Sequence, residues 1–129
     1  MIQKLNHVVI VVPDYEEALS YYLNVLGFEK HADMPFGDGL RWLTVAPKGQ
    51  GDLRIVLSKV TDPSQEELVG TIRGWVFEVE SCKQECEELV NKGVHLIETP
   101  SLYIWGTQAI IEDIYGNQFV LLEPVKNQS

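Results

Sequence analysis

The residues of this chain that could do chemistry are one histidine in an apolar strand and a few aromatic and cationic side chains. His7 lies within the β-branched stretch Leu5–Val12, where an imidazole either contacts a ligand or is a core residue hydrogen-bonded to the backbone. Trp42 and Trp105 supply aromatic surface, and Arg54 supplies positive charge in an acidic protein. An apolar and aromatic surface with few polar groups is typical of a small-ligand site. We therefore predict that these four side chains bind a ligand; core or dimer-contact packing is the alternative for the two tryptophans.

Covalent and phosphate chemistry find little support in the sequence. No nucleophile–base pair stands out, so we predict no catalytic residue, and the glycine pairs at 37–39 and 49–51 are typical of turns. Cys82 and Cys86 lie four residues apart in a helical pattern, which fits packing on one helix face in a reducing compartment. A redox sensor and half of a metal site are the alternatives, and the role of the pair stays open.

Length and composition indicate one ordinary soluble domain. The chain has 129 residues, of which 45% are hydrophobic and 22% are charged, and this is enough to bury a core. No apolar run approaches the roughly 18 residues of a membrane span, and the N-terminus lacks the parts of a signal peptide, so we expect a cytoplasmic protein. The formal net charge of −9 argues against nucleic acid or an anionic membrane as a partner. It is compatible with a cationic ligand or simply with an acidic, soluble surface.

The first half of the chain predicts a strand, a capped helix and three more strands. The strand over Leu5–Val12 stops at Pro13. Asp14 and Glu17 have the spacing of a capping box, and Gly27 ends the helix. The three further strands are expected around Phe28–His31, Leu40–Ala46 and Asp52–Ser58.

The second half repeats this order. A strand over Ile72–Glu80 precedes a helix whose capping box is Ser81 with Gln84 and whose stop is Gly93. The strands that follow are expected around Val94–Glu98, Thr107–Glu112 and Gln118–Glu123.

The spacing of corresponding positions supports a duplication. His7 to Gly27 is 20 positions and Gly74 to Gly93 is 19. This period predicts two βαβββ modules, about 1–59 and 70–124, within one domain that spans 1–129. The linker 60–69 between them contains a helical turn for which we expect Ser64 to be the cap.

Two sequence motifs carry a family resemblance. The segment from Asp113 to Glu123 joins an Asp/Gly/Asn turn to a short apolar strand, and Trp105–Gly106 precedes it; the other motif is Asn6–Val11. Together they resemble the vicinal oxygen chelate superfamily, which includes glyoxalase I, extradiol dioxygenases, and fosfomycin- and bleomycin-resistance proteins. The resemblance implies an α+β fold of two βαβββ modules, whose curved mixed sheets form a shared cleft and whose helices cover the outer faces.

Alternation along the strands assigns a face to each residue of such a fold. We expect the helix side of the first strand to hold Asn6, Val8, Ile10 and Val12. The side chains expected on the cleft side are those of Leu5, His7, Val9, Val11, Arg54, Val56, Gly74, Glu78 and Val120.

The resemblance also implies four metal-ligand positions, which here are His7, Val56, Gly74 and Val120. His7 fits, but Val and Gly have no donor atom in the side chain, and one imidazole cannot hold a metal ion against water. By alternation, Glu123 points away from the face of Val120. We therefore expect no metal and no other cofactor.

Two functional classes remain open. The first is a small-molecule-binding protein, in the manner of the bleomycin-resistance members, that lacks the family metal site. The second is a glyoxalase- or dioxygenase-type metalloenzyme with a displaced metal site, so whether the protein is an enzyme stays open. The expected partners are a small molecule in the cleft and a second copy of the chain, because members commonly dimerise and exposed sheet edges tend to be covered.

Overall fold

The computed structural model of the protein describes residues 1–126, and the chain divides into two compact units, Met1–Val69 and the residues from Gly70 onward. The first unit has a four-stranded mixed sheet, sheet 1, with strand order β1-β4-β3-β2. Strand β1 is parallel to β4, and the other neighbours are antiparallel. Its elements are β1 His7–Val12, α1 Tyr15–Asn24, β2 Phe28–Pro35, β3 Arg41–Pro47, β4 Arg54–Lys59 and the short helix α2 Pro63–Glu66.

The second unit repeats this topology in sheet 2, with strand order β5-β8-β7-β6 and β5 parallel to β8. Its elements are β5 Trp75–Glu78, α3 Cys82–Asn91, β6 His95–Tyr103, β7 Gly106–Glu112 and β8 Gln118–Pro124. The prediction of an α+β fold with two βαβββ modules and mixed sheets is therefore confirmed. Within residues 1–126, no helix is long and apolar enough to cross a membrane.

Both predicted helix starts are confirmed. The Asp14 carboxylate accepts a hydrogen bond of 2.9 Å from the backbone N–H of Glu17, and the Ser81 hydroxyl accepts one of 3.2 Å from that of Gln84. Each bond satisfies one of the N–H groups that a helix leaves without a partner in its first turn, and a cap of this kind stabilises by about 1 kcal/mol.

The core of each unit lies between the helix and one face of the sheet. In the first unit, Ile10 and Val12 of β1 and Ala18 and Tyr22 of α1 are completely buried. In the second, the buried ring of Phe119 lies 5.7 Å from the ring of Trp75 and 5.4 Å from that of Phe77, measured between centroids. Burying one large apolar side chain contributes about 1.5–3 kcal/mol, so these faces carry much of the stability.

Several strand boundaries and one helix cap differ from the sequence-based expectation, and the larger differences are as follows. Strands β2 and β6 run on to Pro35 and Tyr103, because each pairs with its neighbour across a bulge that interrupts the alternation used to delimit it. Strand β5 is shorter and begins only at Trp75. The turn of α2 is capped by Asp62 and not by Ser64, since the Asp62 carboxylate accepts the bond from the Ser64 N–H and Pro63 occupies the first helical turn.

Candidate functional site

The face of sheet 1 opposite α1, here called the open face, carries three of the four predicted ligand contacts. His7 of β1 is the register partner of Arg54 of β4, and Val9 is the partner of Val56. Because register partners on neighbouring strands point to the same side, His7, Arg54, Val9 and Val56 share this face. The alternation predicted for β1 is confirmed at Ile10 and Val12, which are buried beneath the helix.

His7 holds the ring of Trp42 in one orientation. The two ring centroids are 5.5 Å apart and the ring planes are inclined by 88°, an edge-to-face contact. Strand β4 lies between the strands of these two residues, so the two rings meet across it. Trp42 is 37% exposed and is therefore not a core residue of its unit.

Asn6 lies beside His7, and its position corrects one expectation. We expected Asn6 under the first helix, but it precedes the strand, is exposed, and places its Oδ1 atom 3.0 Å from Nδ1 of His7. The amide oxygen can only accept, so Nδ1 donates in this pair and Nε2 carries the free lone pair of the neutral ring. The contact fixes the orientation of the imidazole.

The two arginines of sheet 1 differ in how they are engaged. Arg41 makes two hydrogen bonds to Asp33, of 3.0 and 2.7 Å, and one of 2.8 Å to Glu16, and the guanidinium holds the pKa of Asp33 below its usual value. Arg54 instead donates from Nη1 to the carbonyl oxygen of Gly51 at 2.7 Å, and within the first unit it makes no ion pair. Arg54 therefore has more donors left for a ligand than Arg41, and no carboxylate of the first unit neutralises its charge.

The fourth predicted contact, Trp105, belongs to a cluster in the second unit. Its ring is 45% exposed and stacks on Tyr103, with centroids 4.7 Å apart and planes inclined by 4°. Its indole N–H donates to Gln108 at 2.9 Å, and Gln108 and Tyr103 both donate to the carboxylate of Glu98, at 3.1 and 2.7 Å. The bond to Glu98 raises the pKa of the Tyr103 hydroxyl.

Two members of this cluster, Glu98 and Gln108, were not predicted from the sequence. Gln108 pairs with Leu122 of β8, so alternation along the strand that we predicted at 107–112 could have assigned its face. Glu98 could not have been found in this way, because β6 changes register on both sides of it. In sum, His7, Trp42 and Arg54 lie together on sheet 1, and Trp105 lies in its own cluster on sheet 2.

The Asp/Gly/Asn motif at 113–117 forms a turn in which the side chains of Asp113 and Asn117 are buried. The Asp113 carboxylate accepts hydrogen bonds from the N–H groups of Tyr115 and Asn117 and from the Asn117 amide, at 2.9, 2.9 and 2.8 Å. Asn117 in turn accepts a bond of 3.0 Å from the backbone N–H of Ile72. The motif ties the segment that enters β5 to the segment that enters β8.

Comparison with known proteins agrees with this architecture. The sequence profile of the Glyoxalase/Bleomycin resistance protein/Dioxygenase superfamily matches residues 4–121 of the chain. The chain belongs to this superfamily. The match covers both βαβββ units, so the family resemblance inferred from the two motifs is confirmed.

Relatives within the superfamily match over nearly the whole chain. The uncharacterised protein YetH of Bacillus subtilis (strain 168) is 32% identical over 123 residues, which cover 95% of this chain and 100% of YetH. The crystal structure of UcmS2 is 36% identical with a TM-score of 0.86 and covers 95% of this chain and 99% of its own. The crystal structure of TnmS3, an antibiotic binding protein from Streptomyces sp. CB03234, is 33% identical with a TM-score of 0.83, with coverage of 96% and 98%.

The residues present do not fit the metal site that the superfamily implies. Val56 offers no donor atom and is 6% exposed, and Val120 pairs with another valine, Val76. The carboxylate of Glu123 accepts a hydrogen bond of 3.0 Å from the backbone N–H of Cys82 and thus lies on the helix side. Among residues 1–126, no three His, Cys, Asp or Glu side chains are grouped so that they could hold a metal ion.

The two cysteines pack in the core of the second unit. Cys82 is completely buried, with its sulfur 3.8 Å from the carbonyl oxygen of Leu121. Cys86 is 3% exposed and lines an open groove of about 460 Å³ between α3 and β6. Burial raises the pKa of the Cys82 thiol to about 12 and also raises that of Cys86.

We expect neither thiol to react in the folded protein. The thiolate is the reactive form, and a raised pKa lowers the fraction of thiolate at mildly alkaline pH. Burial also keeps the reagent away from the sulfur. Titration with a chromogenic disulfide reagent should give almost no colour until denaturant is added, after which both Cys82 and Cys86 react. Prompt reaction of one thiol per native chain would contradict this and would favour the redox-sensor interpretation.

Proposed function

We propose that this protein is a small-molecule-binding member of the superfamily that takes a flat aromatic ligand and does not use the family metal. The observation that carries the proposal is the exposed Trp42 ring, held edge-on by His7 at the position of the first family metal ligand. A large ring that is both exposed and fixed in orientation can stack on a ligand at low entropic cost.

The proposed contacts are the four predicted from the sequence. His7, Trp42 and Arg54 belong to sheet 1, and Trp105, stacked on Tyr103, belongs to sheet 2. Support comes from TnmS3, an antibiotic binding protein that matches this chain over almost its full length. We extend that kind of function, the binding of a small organic molecule, to this chain.

The other class, a glyoxalase- or dioxygenase-type metalloenzyme, requires a donor set at a displaced position. Glu123 is engaged with the start of α3, and Val56 and Val120 cannot coordinate. Elemental analysis of protein purified without a histidine tag separates the two classes. About one transition-metal ion per chain that is lost in His7→Ala would favour the metalloenzyme.

The binding proposal predicts that the tryptophans matter for affinity. A thermal-shift screen of aromatic compounds should yield a stabilising ligand, and titration calorimetry then gives its affinity for each variant. Trp42→Ala and Trp105→Ala should each weaken binding by about 1 kcal/mol or more, since a stacked ring is lost. Trp75→Phe, half-buried on the helix side of sheet 2 beside Phe119, is the control and should leave affinity unchanged. Unchanged affinity in both alanine variants with the fold intact would mean that the ligand binds elsewhere.

We further propose that the protein is a cytoplasmic homodimer. Each sheet has edge strands, and Leu102 and Ile104 at the end of the β6–β7 hairpin are 84% and 93% exposed. Exposed edges and apolar residues of this kind are commonly covered by a partner. A monomeric mass by light scattering at micromolar concentration would contradict the dimer.

A further inference from the structure

The open face of sheet 1 carries a cation, and this bears on the chemistry of the ligand. We propose that the ligand is an aromatic acid whose carboxylate is bound by Arg54 while its ring lies over Val9 towards Trp42. This inference rests on the proposed function, because it names the class of molecule that the same site takes.

Of the two arginines of sheet 1, Arg54 has more N–H donors that are not hydrogen-bonded. A guanidinium has five N–H donors in one plane, which match the two oxygens of a carboxylate. Of these, one is bonded to the carbonyl oxygen of Gly51 at 2.7 Å. Within the first unit no carboxylate forms an ion pair with Arg54, whereas Arg41 of the same sheet is paired with both Asp33 and Glu16.

The carboxylates of sheet 1 are engaged elsewhere. Asp33 is bound by Arg41 and lies 3.6 Å from Lys30. Glu29 lies 3.4 Å from Nε2 of His31 and accepts a bond of 3.4 Å from the N–H of Gly49. The carboxylate of a ligand could therefore pair with the Arg54 guanidinium without displacing a carboxylate of the protein.

The residues beside Arg54 form an apolar floor. Two residues further along the strands, Val9 and Val56 are partners, and Thr44 of β3 is the partner of Val56 on its other side. Val9 is 44% exposed, whereas Val56 and Thr44 are 6% and 2% exposed, so Val9 is the part of this floor that a ligand ring can contact. Two residues of a strand span about 6.6 Å, which is the length of a bicyclic aromatic system.

Local charge decides between an acid and a cation at this site. The net charge of −9 would attract a cation from a distance, but such interactions are screened beyond about 8 Å at physiological ionic strength. At hydrogen-bonding distance the guanidinium dominates, and the apolar floor strengthens its attraction for an anion. The same charge disfavours a divalent cation at His7, the register partner of Arg54.

The test compares three probes of one shape by titration calorimetry on the full chain: naphthoate, the neutral naphthamide and the cationic naphthylmethylammonium. We expect naphthoate to bind at least about tenfold more tightly than either of the others, as a charge-assisted bidentate contact should give. Arg54→Gln should abolish this preference and leave the affinity for naphthamide within about twofold. Lys59→Gln removes the same charge from the other end of β4, on the helix side, and should leave the preference intact.

The possible results separate the inference of an aromatic acid from the proposed function. If all three probes bind equally and Trp42→Ala weakens all of them, the acid inference is wrong and the proposed site stands. If Lys59→Gln reduces the preference as much as Arg54→Gln, the attraction is long-range and the assignment to Arg54 is overturned. If no probe binds at millimolar concentration, both the acid inference and the proposal of a flat aromatic ligand fail.

Discussion

Replacing Gly70 by alanine is expected to destabilise the protein by about 2–5 kcal/mol. Gly70 has a φ of +76°, and a Cβ atom added there would lie 2.0 Å from the carbonyl oxygen of Tyr115 and 3.0 Å from its carbonyl carbon. These are backbone atoms, so no side-chain rotation relieves the overlap. The cost therefore combines left-handed strain, about 1–2 kcal/mol, with the displacement of a buried turn, about 1–3 kcal/mol.

Gly27 provides a matched control for this experiment. Its φ is +77°, almost the same as that of Gly70, but a Cβ atom there would meet nothing within 4 Å. Gly27→Ala should therefore cost only the strain of the left-handed conformation. Urea unfolding followed by far-UV circular dichroism gives both values, and equal losses in the two variants would show that the contact with Tyr115 does not matter.

The second large effect is expected from Asn117→Ala. Asn117 is completely buried and Asp113 is 5% exposed. The substitution removes the acceptor for the N–H of Ile72 and one donor to the Asp113 carboxylate. Each buried group that loses its partner costs about 1–3 kcal/mol, so we expect a total loss of about 3 kcal/mol in the free energy of unfolding.

The control for Asn117→Ala is Asn24→Ala at the end of α1. The Asn24 amide also donates a hydrogen bond, 3.2 Å long, to the Ser20 hydroxyl, but both residues are exposed. Its loss should change stability by less than about 0.5 kcal/mol. A loss of 1 kcal/mol or less for Asn117→Ala, measured by the same denaturation, would mean that water replaces the missing amide.

Local signals in the sequence were sufficient for the helices and for the order of elements. The caps Asp14 and Ser81 act through a backbone N–H three residues away, so the whole interaction is contained in a four-residue motif. The cap of α2 was misassigned because Asp62 and Ser64 are both good caps, and Pro63 between them favours the earlier start. Strand ends were less predictable, since bulges at 30–32 and 96–101 shift the alternation.

By itself, the sequence determined the family, the repeated βαβββ order and the face on which His7 and Arg54 lie, because these depend on motifs and on a fixed period along each strand. Only the tertiary structure decided which side chains meet. The bond from Ile72 to Asn117 joins residues 45 positions apart, and the contact of His7 with Trp42 crosses β4. The link from Gln108 to Glu98 crosses a change of register between Glu98 and Ser101. Such contacts depend on sheet curvature, bulges and side-chain direction, and residue spacing in the chain does not encode these.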